Sequence, residues 1–142
     1  MAYMNQEKKA TIKANLDKAL KGTGVKYTLS VRNHSTIVCN VKSAPIDFIE
    51  NFIQTDRNSH IGKKMSEDHV AHIRKNKALD VNPYWYKEHF SGKALEVVDK
   101  IVKAMYTADY YDNSDAQTDY FDTAYYYHIN VGKWDKPYQL TA

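Results

Sequence analysis

Cysteine and long apolar stretches are the scarcest features of this sequence. The 142 residues include one cysteine, Cys39, so the chain cannot form an internal disulfide. No apolar run approaches the ~20 residues that a helix needs to span a bilayer. No charged start followed by an apolar stretch marks a secretion signal. We therefore expect a protein of a reducing cytoplasm that has no membrane partner.

The motifs of the common enzyme classes are missing too. The sequence contains no P-loop and no GxGxxG, and neither Ser35 nor Ser91 stands in a nucleophile elbow. Cys39 falls on the apolar side of an expected strand, which indicates a small buried side chain rather than a nucleophile. We expect no catalytic residue and no cofactor. An enzyme would require one pocket to unite three residues: His34, Asp47 and His128.

Charge is nearly balanced overall but unevenly distributed. Twenty Lys and Arg residues stand against 17 Asp and Glu residues, and the net charge of +3 is too small to argue for nucleic-acid binding. Basic residues cluster at positions 8–21 and 63–77, and acidic residues concentrate between positions 109 and 122. Most runs of like charge are simply solvated, although such polarity can also steer a charged partner.

The hydrophobic periodicity predicts one domain, residues 1–142, of the α+β class. Apolar residues recur at helical spacing from about residue 5 to 22 and again after Ser91, and a shorter helix is expected after Ser66. Alternating runs predict a hairpin around the RNHS break and a last strand at 125–131. We expect a three-stranded antiparallel sheet covered on one face by two main amphipathic helices, in the order α-β-β-α-β with minor helices.

The acidic segment DNSDAQTDYFD, residues 112–122, raises the question of a metal or catalytic site. An EF-hand loop needs a glycine at its sixth position and a glutamate at its twelfth. Counted from Asn113, these positions hold Thr118 and Ala124. Aspartates in polar stretches of this kind commonly accept hydrogen bonds from local backbone N–H groups. We therefore interpret the segment as a structured connection into the last strand that also supplies exposed recognition groups.

The histidines do not form a recognisable metal motif. His69 and His72 stand three residues apart and would share one face of a helix. Structural zinc needs four Cys or His ligands, and catalytic zinc needs three. His60, His89 and His128 have no spacing that would join them to this pair. We predict no metal site and interpret these histidines as surface or half-buried side chains.

Four stretches of the chain resemble a known family. They are YMNQEKKATIKANL at 3–16, GVKYTLSVRNHSTIVCNVKSAPIDFI at 24–49, VNPYWYKEHFSGKAL at 81–95 and DNSDAQTDYFDTAYYYHINVGKWDKPY at 112–138. Together they are similar to a family of small domains of phages, prophages and conjugative elements. These domains occur alone or within very large polyvalent proteins that enter the host with the DNA. The resemblance covers most of the chain, and the segment at about 55–77 departs from it as an insertion would.

The resemblance implies a context rather than a reaction. Such elements encode proteins that blunt host defences soon after entry, and many inhibitors cover a nucleic-acid site with acidic side chains. This implies a non-catalytic binding protein in the bacterial host cytoplasm, with a defence nuclease or a CRISPR effector as the expected target. The expected partner-binding residues are Asp109, Tyr110, Tyr111, Asp112, Asp115, Asp119, Tyr120, Phe121 and Asp122.

A nucleic-acid-binding accessory domain is the alternative function. A basic first helix and a sheet that displays tyrosines could bind a single strand by charge and stacking. The acidic segment beside the last strand argues against this alternative. The residues that would bind nucleic acid in this alternative are Lys8, Lys9, Lys13, Arg32 and the sheet tyrosines. A homodimer also stays open, because the 12 tyrosines are side chains well suited to interfaces.

Overall fold

The computed structural model describes residues 3–58, 65–108, 110, 124–133 and 135–141. Within these ranges the chain has the α+β fold that its periodicity predicts. No helix in them is long and apolar enough to cross a bilayer. The elements in chain order are α1 (Gln6–Ala19), β1 (Lys26–Arg32), β2 (Thr36–Ala44), α2 (Phe48–Asn58), α3 (Glu67–Asn76), β3 (Leu79–Val81), α4 (Tyr86–His89), α5 (Gly92–Ala104), β4 (Tyr126–Val131) and β5 (Gln139–Leu140).

The sheet is mixed, and the described residues contribute five strands to it. Its main path runs β1-β2-β4-β3, and β5 pairs with β2 beyond the end of β4. β1 and β2 form the expected antiparallel hairpin, and β3 is antiparallel to β4. β2 and β4 run parallel, with Ile37 opposite Tyr127 and Val41 opposite Val131. The expectation of a three-stranded antiparallel sheet is therefore wrong in both strand number and strand direction.

The parallel pairing follows from the long connection between β2 and β4. Parallel neighbours need a crossover rather than a tight turn, and the helices α2 to α5 all lie in this crossover. An alternating apolar pattern predicts that a segment is a strand, but it does not specify the neighbouring strand or its direction. β3 (LDV) and β5 (QL) are too short to show any alternation.

A tight left-handed turn closes the hairpin between β1 and β2. Asn33 and His34 both have positive φ angles, of 55° and 58°. The N–H of Ser35 donates to the carbonyl oxygen of Arg32 at 3.3 Å. Two consecutive left-handed residues form a type I′ turn, whose twist matches that of the flanking strands. The polar RNHS break in the sequence is this turn.

One face of the sheet, the inner face, carries the hydrophobic core. Ile37, Cys39 and Val41 of β2 point to this face, and each is at most 1% exposed. α1 and α5 bury their apolar stripes in the same cluster of side chains. Val38 points to the other side of β2 and is not part of that cluster. The described helices therefore cover the inner face. No described helix covers the opposite face, which we call the open face, although Val38 and Asn40 of β2 are buried there between the neighbouring strands.

Two helices begin at the caps that the sequence predicts. The Asn5 side chain accepts a hydrogen bond from the N–H of Lys8 at 2.8 Å, at the start of α1. The Ser66 hydroxyl accepts from the N–H of His69 at 3.2 Å, at the start of α3. Each bond satisfies one of the N–H groups that the first turn of a helix leaves without an intrahelical partner.

The described part of the segment at 55–77 is tied to the rest of the fold. Val70 and Ile73 of α3 are buried in the main core. Arg74 of α3 forms a two-point ion pair with Glu50 of α2, at 2.8 and 3.1 Å. This packing does not decide whether the segment is an insertion relative to the resembling family, and that interpretation stays a prediction.

The C-terminal strands occupy the same flank of β2 one after the other. β4 pairs with β2 as far as Val41, and β5 pairs with Ser43 and Ala44. Between them the chain at 132–138, which we call the C-terminal excursion, leaves the sheet and returns. The hydroxyl of Tyr138 anchors its end by donating to the carbonyl oxygen of Ile46 at 2.5 Å.

Gly132 begins the C-terminal excursion at a point where no side chain fits. Its φ angle is 78°, which favours glycine. A Cβ atom there would overlap the carbonyl oxygen of Lys77 and lie 2.7 Å from the amide nitrogen of Tyr138. The same nitrogen donates to the same carbonyl at 2.9 Å, so neither group can move without weakening this bond.

We expect Gly132→Ala to destabilise the fold much more than Gly22→Ala. Gly22 also has a positive φ, 81°, but an added Cβ would meet no atom within 4 Å. Gly22→Ala should therefore cost only the left-handed conformation, about 1 kcal/mol, whereas Gly132→Ala should cost about 2 kcal/mol more because of the overlap. Urea unfolding of both variants measures the difference, and equal losses at the two positions would contradict the close packing described here.

Candidate partner-binding site

Large aromatic side chains are exposed at the start of β4 and in the turn that follows β3. Tyr84 is 81% exposed, Trp85 is 56% exposed and Tyr126 is 48% exposed. His128 is exposed beside Tyr126 on the same face of β4. Grouped exposed aromatics on a small protein commonly mark a contact surface, because tyrosine and tryptophan are enriched where proteins bind.

A cleft of about 500 Å³ lies among these side chains, and we call it the aromatic cleft. Its walls come from the first residues of β2, from β4, from the end of β3 and from the segment that follows β3. Four of its exposed or half-buried side chains are tyrosines, which are polar at the tip and apolar along the ring and therefore suit a mixed ligand surface. The lining residues are Thr36, Val81, Pro83, Tyr84, Tyr110, Tyr126, Tyr127, His128 and Ile129.

The aromatic cleft exists because β3 ends early. β3 pairs only with the last part of β4, and its final pair sets Val81 opposite Ile129. In this register the next hydrogen-bonded position would set Pro83 opposite Tyr127. Proline has no N–H to donate, so the ladder stops before it. Among the described residues, the beginning of β4 therefore has no strand paired to it on this side.

The main chain of Tyr127 faces this edge. The N–H of Tyr126 donates to Ser35, on the β2 side, at 2.9 Å. Successive residues of a strand direct their N–H and C=O groups to opposite sides, so the groups of Tyr127 point away from β2 and toward the cleft. Within the ranges that the structure describes, no residue beyond β3 hydrogen-bonds to these two groups. One donor and one acceptor are thus available to a ligand in the cleft.

A second local feature holds the cleft open. The side chain of Asn82 accepts hydrogen bonds from the N–H groups of Tyr84 and Trp85, at 2.8 and 3.1 Å. Asparagine side chains stabilise turns by bonding the backbone two and three residues further on. This turn directs the chain away from β4 directly after β3, and it places Tyr84 at the rim of the cleft.

Four tyrosines pack together beside the cleft: Tyr106, Tyr110, Tyr125 and Tyr127. The ring of Tyr110 packs edge to face on three other tyrosine rings. Its centroid lies 4.7 Å from the ring centroid of Tyr106, 5.1 Å from that of Tyr125 and 6.2 Å from that of Tyr127. The hydroxyls of Tyr106 and Tyr127 share a hydrogen bond, and that of Tyr125 donates to the Met105 carbonyl. Burial raises the pKa of Tyr127 above its ordinary value, so its hydroxyl stays protonated at neutral pH.

Only one of the nine expected partner-binding residues lies within the described ranges. Tyr110 is half-buried, so its ring packs in the tyrosine cluster as well as lining the cleft. The structure does not describe the other eight, which are Asp109, Tyr111, Asp112, Asp115, Asp119, Tyr120, Phe121 and Asp122.

The described residues on either side of the acidic segment are fixed in the core. Ala108 is 4% exposed and Ala124 is 2% exposed. Next to them, the rings of Tyr110 and Tyr125 are in contact. Both ends of the segment therefore join the fold beside the aromatic cleft, whatever path the intervening residues take.

The residues of the nucleic-acid alternative do not share one surface. Lys8, Lys9 and Lys13 belong to α1, which packs on the inner face of the sheet. Lys13 is also paired with Asp17 at 2.8 Å. Arg32 is exposed at the end of β1, in the set of residues that alternates away from the core. The basic first helix and the open face of the sheet therefore cannot form a single groove.

The three residues of the enzyme alternative are not united either. His128 lines the aromatic cleft, Asp47 lines a different cavity together with Arg74, and His34 lies in the hairpin turn and lines neither. His69 is exposed on α3, where its N–H donates to the capping hydroxyl of Ser66. No group of three or more His, Cys, Asp or Glu side chains in the described ranges could hold a metal ion.

The sequence reasoning missed the main lining of the cleft. Pro83, Tyr84 and Trp85 stand in an aromatic-rich connector, and Tyr127 was assigned to the last strand only as an alternating residue. A signal was nevertheless present, because a proline directly after a short apolar stretch ends a strand and exposes the neighbouring strand. That inference requires the pairing of β3 with β4, which the local pattern does not contain.

Comparisons with protein-family models, curated proteins and solved structures found no match to this chain. The resemblance to a family of phages and mobile elements therefore stays a prediction. Function has to be argued from the geometry of the described residues.

Cys39 lies at the centre of the inner face rather than at the cleft. It is 0% exposed, and burial raises the pKa of its thiol to about 12. Thiolate is the reactive form of cysteine, so this side chain is almost wholly unreactive near pH 8. Cys39 is thus the small buried side chain that the alternating pattern predicts.

We expect the native protein to resist thiol modification. At pH 8 and without denaturant, Cys39 should react with a chromogenic disulfide reagent at least ~100-fold more slowly than in 6 M guanidinium chloride, because the reagent needs an open state of the core. In denaturant one thiol per chain should be titrated. Rapid reaction of the native protein would show that β2 is not buried as described.

Proposed function

We propose that this protein is a non-catalytic binding protein of a phage or mobile element that captures an extended segment of a host defence factor. The single observation that carries the proposal is the edge of β4 at Tyr127, which no described strand pairs and which lies in a cleft lined by the exposed rings of Tyr84 and Tyr126. A defence nuclease or a CRISPR effector is the proposed class of target.

The main chain of Tyr127 supports strand addition. An extended segment of a partner can add to an exposed sheet edge, where main-chain hydrogen bonds supply affinity and side-chain pockets supply specificity. Pro83 prevents β3 from extending into this position, because proline has no N–H to donate. The edge is short, so hydrogen bonds to Tyr127 alone would bind weakly, and the surrounding rings must supply most of the affinity.

The rings at the rim of the cleft can supply that affinity. Tyr84 and Tyr126 are exposed on its two sides, and each would lose apolar surface to water on binding. Tyrosines of this kind are common among the few residues that dominate binding energy. The Asn82 side chain already fixes the turn that carries Tyr84, so binding would order little additional backbone.

The acidic segment is proposed as the second part of the contact surface. The described residues Tyr110 and Tyr125 lie beside the cleft, and the proposal is that the aspartates of the segment contact a partner bound there. A nuclease or CRISPR effector binds nucleic acid through a basic surface, and aspartates near such a surface would both attract it and block it. This arrangement suits an inhibitor that covers the nucleic-acid-binding surface of its target and catalyses no reaction.

One observation favours nucleic-acid binding as a second candidate function. Tyr126 and Arg32 are exposed in one row of the sheet, on the face away from the core, and Tyr84 is exposed at the cleft, so bases could stack on the two rings. Lys8 and Lys13 do not contribute, because α1 lies on the inner face. A single strand would therefore meet fewer cations here than a basic groove provides.

The test is a tagged pull-down from infected bacterial lysate, with and without nuclease treatment, followed by mass spectrometry. We expect a nuclease-resistant host protein in near-stoichiometric amount. The double variant Tyr84→Ser/Tyr126→Ser should recover at least ~tenfold less of it, because the rings carry most of the contact energy. Leu140→Ser is the matched control, since Leu140 is 55% exposed on β5, at the other end of β2.

The outcomes separate the candidate functions. Recovery that disappears with nuclease would support the nucleic-acid alternative, and recovery of only untagged copies of the chain would indicate a homodimer. Equal recovery with the cleft variant and the control would overturn the proposed site. With a purified target, the amide of Tyr127 should also exchange hydrogen more slowly in the complex, because strand addition gives it a partner.

Charge reversal tests the acidic segment separately. Asp115→Lys/Asp119→Lys should weaken binding to the recovered target at least ~tenfold and reduce its dependence on salt, because rim charges act mainly through long-range attraction. Glu88→Lys/Glu96→Lys makes the same change in net charge at exposed positions on α4 and α5. If both pairs weaken binding equally, net charge rather than the acidic segment is responsible.

A further inference from the structure

A second cavity, of about 350 Å³, lies between the open face of the sheet and the C-terminal excursion. We call it the lysine cavity, and it shares no lining residue with the aromatic cleft. The sheet contributes Thr28, Asn40 and Lys42, and the chain beyond β4 contributes Lys133, Lys136 and Gln139. It is of the size that small-molecule ligands occupy.

The wall of the lysine cavity contains a buried amide without a partner. Asn40 is 3% exposed, and the structure gives its Oδ1 atom no hydrogen-bond donor among the described residues. A buried polar atom without a partner costs roughly 1–3 kcal/mol, so proteins rarely retain one without a use. Turning the amide toward the cavity would break no hydrogen bond.

The neighbouring amide in the same row of the sheet, that of Asn130, has a hydrogen-bond partner, unlike the Oδ1 atom of Asn40. Asn130 of β4 lies directly opposite Asn40, and Thr28 of β1 lies opposite it on the other side. With its nitrogen oriented toward Asp80, the Asn130 amide donates to that carboxylate at 2.7 Å. Asn130 is therefore satisfied within the sheet, whereas Asn40 is not.

Three lysines give the cavity a strong positive charge. Lys42, Lys133 and Lys136 all line it, and no carboxylate does. In the described ranges, none of the three forms an ion pair. The main chains of Lys133 and Lys136 hydrogen-bond each other at 2.9 and 3.1 Å, which holds the two residues together. Such a group of like charges is stabilised by an anion.

We infer that the lysine cavity binds a phosphate monoester that carries a hydroxyl or amino group near the phosphate. A monoester has a charge of about −1.5 to −2 and three acceptor oxygens, which match several ammonium groups. The hydroxyl or amino group donates to Asn40, and this contact distinguishes the ligand from a simple anion. The ligand is a free sugar phosphate or nucleotide, or the phosphorylated 5′ end of a strand, since these share the same chemistry.

Calorimetric titration with ribose 5-phosphate tests the inference directly. We expect binding by ribose 5-phosphate and at least ~tenfold weaker binding of ribose and of inorganic phosphate, because each of these lacks one of the two groups. A 5′-phosphorylated tetranucleotide and its dephosphorylated form make up the second arm. Binding that requires the 5′ phosphate, and is tighter than that of ribose 5-phosphate, would assign the site to strand ends.

Variants separate the two parts of the site. Lys136→Gln should lower the affinity for ribose 5-phosphate at least ~tenfold. Lys18→Gln, at an exposed position on α1, should leave that affinity unchanged. Asn40→Leu should abolish the advantage of ribose 5-phosphate over inorganic phosphate. Asn40→Leu should also raise the melting temperature of the unliganded protein, because it replaces an unpartnered buried amide by an apolar side chain of similar volume.

Three results would overturn the inference. They are no binding of either phosphorylated probe at 10 mM, equal weakening by Lys136→Gln and Lys18→Gln, and inorganic phosphate bound as tightly as ribose 5-phosphate. The site does not depend on the proposed function, because Tyr84→Ser/Tyr126→Ser should leave binding of ribose 5-phosphate unchanged.

Discussion

The parallel pairing of β2 with β4 is the interaction on which the rest of this structure depends. It joins the N-terminal hairpin to the C-terminal strands, and it fixes the crossover that places the helices on the inner face. β2 is consequently hydrogen-bonded on both sides, and its residues from Ile37 to Val41 are buried on both faces.

Local sequence patterns were sufficient to predict the features that depend on residues close in sequence. The type I′ turn at Asn33 and His34, the caps at Asn5 and Ser66 and the burial of Cys39 all follow from residues close in sequence. The direction of β4, the existence of β3 and β5 and the cleft at Tyr127 depend on pairing across the crossover. A period-two pattern carries no information about such distant neighbours, which is why the sheet was expected to be smaller and antiparallel.

Two binding surfaces lie at opposite ends of the open face, and they differ in chemistry. The aromatic cleft stands at the start of β2, where Thr36 lines it, and it offers rings and one main-chain donor–acceptor pair. The lysine cavity stands toward the end of β2, where Lys42 lines it, and it offers three cations and a buried amide.

The anchoring of Tyr138 has a consequence for how the chain reaches this fold. Its hydroxyl bonds to Ile46, 92 residues earlier, and contacts over such separations form slowly because a large loop must close first. During synthesis the hairpin therefore emerges with the β4 side of β2 uncovered until the last strands have left the ribosome. The nascent chain presents an apolar sheet edge over this interval, and exposed edges of this kind can pair with other chains.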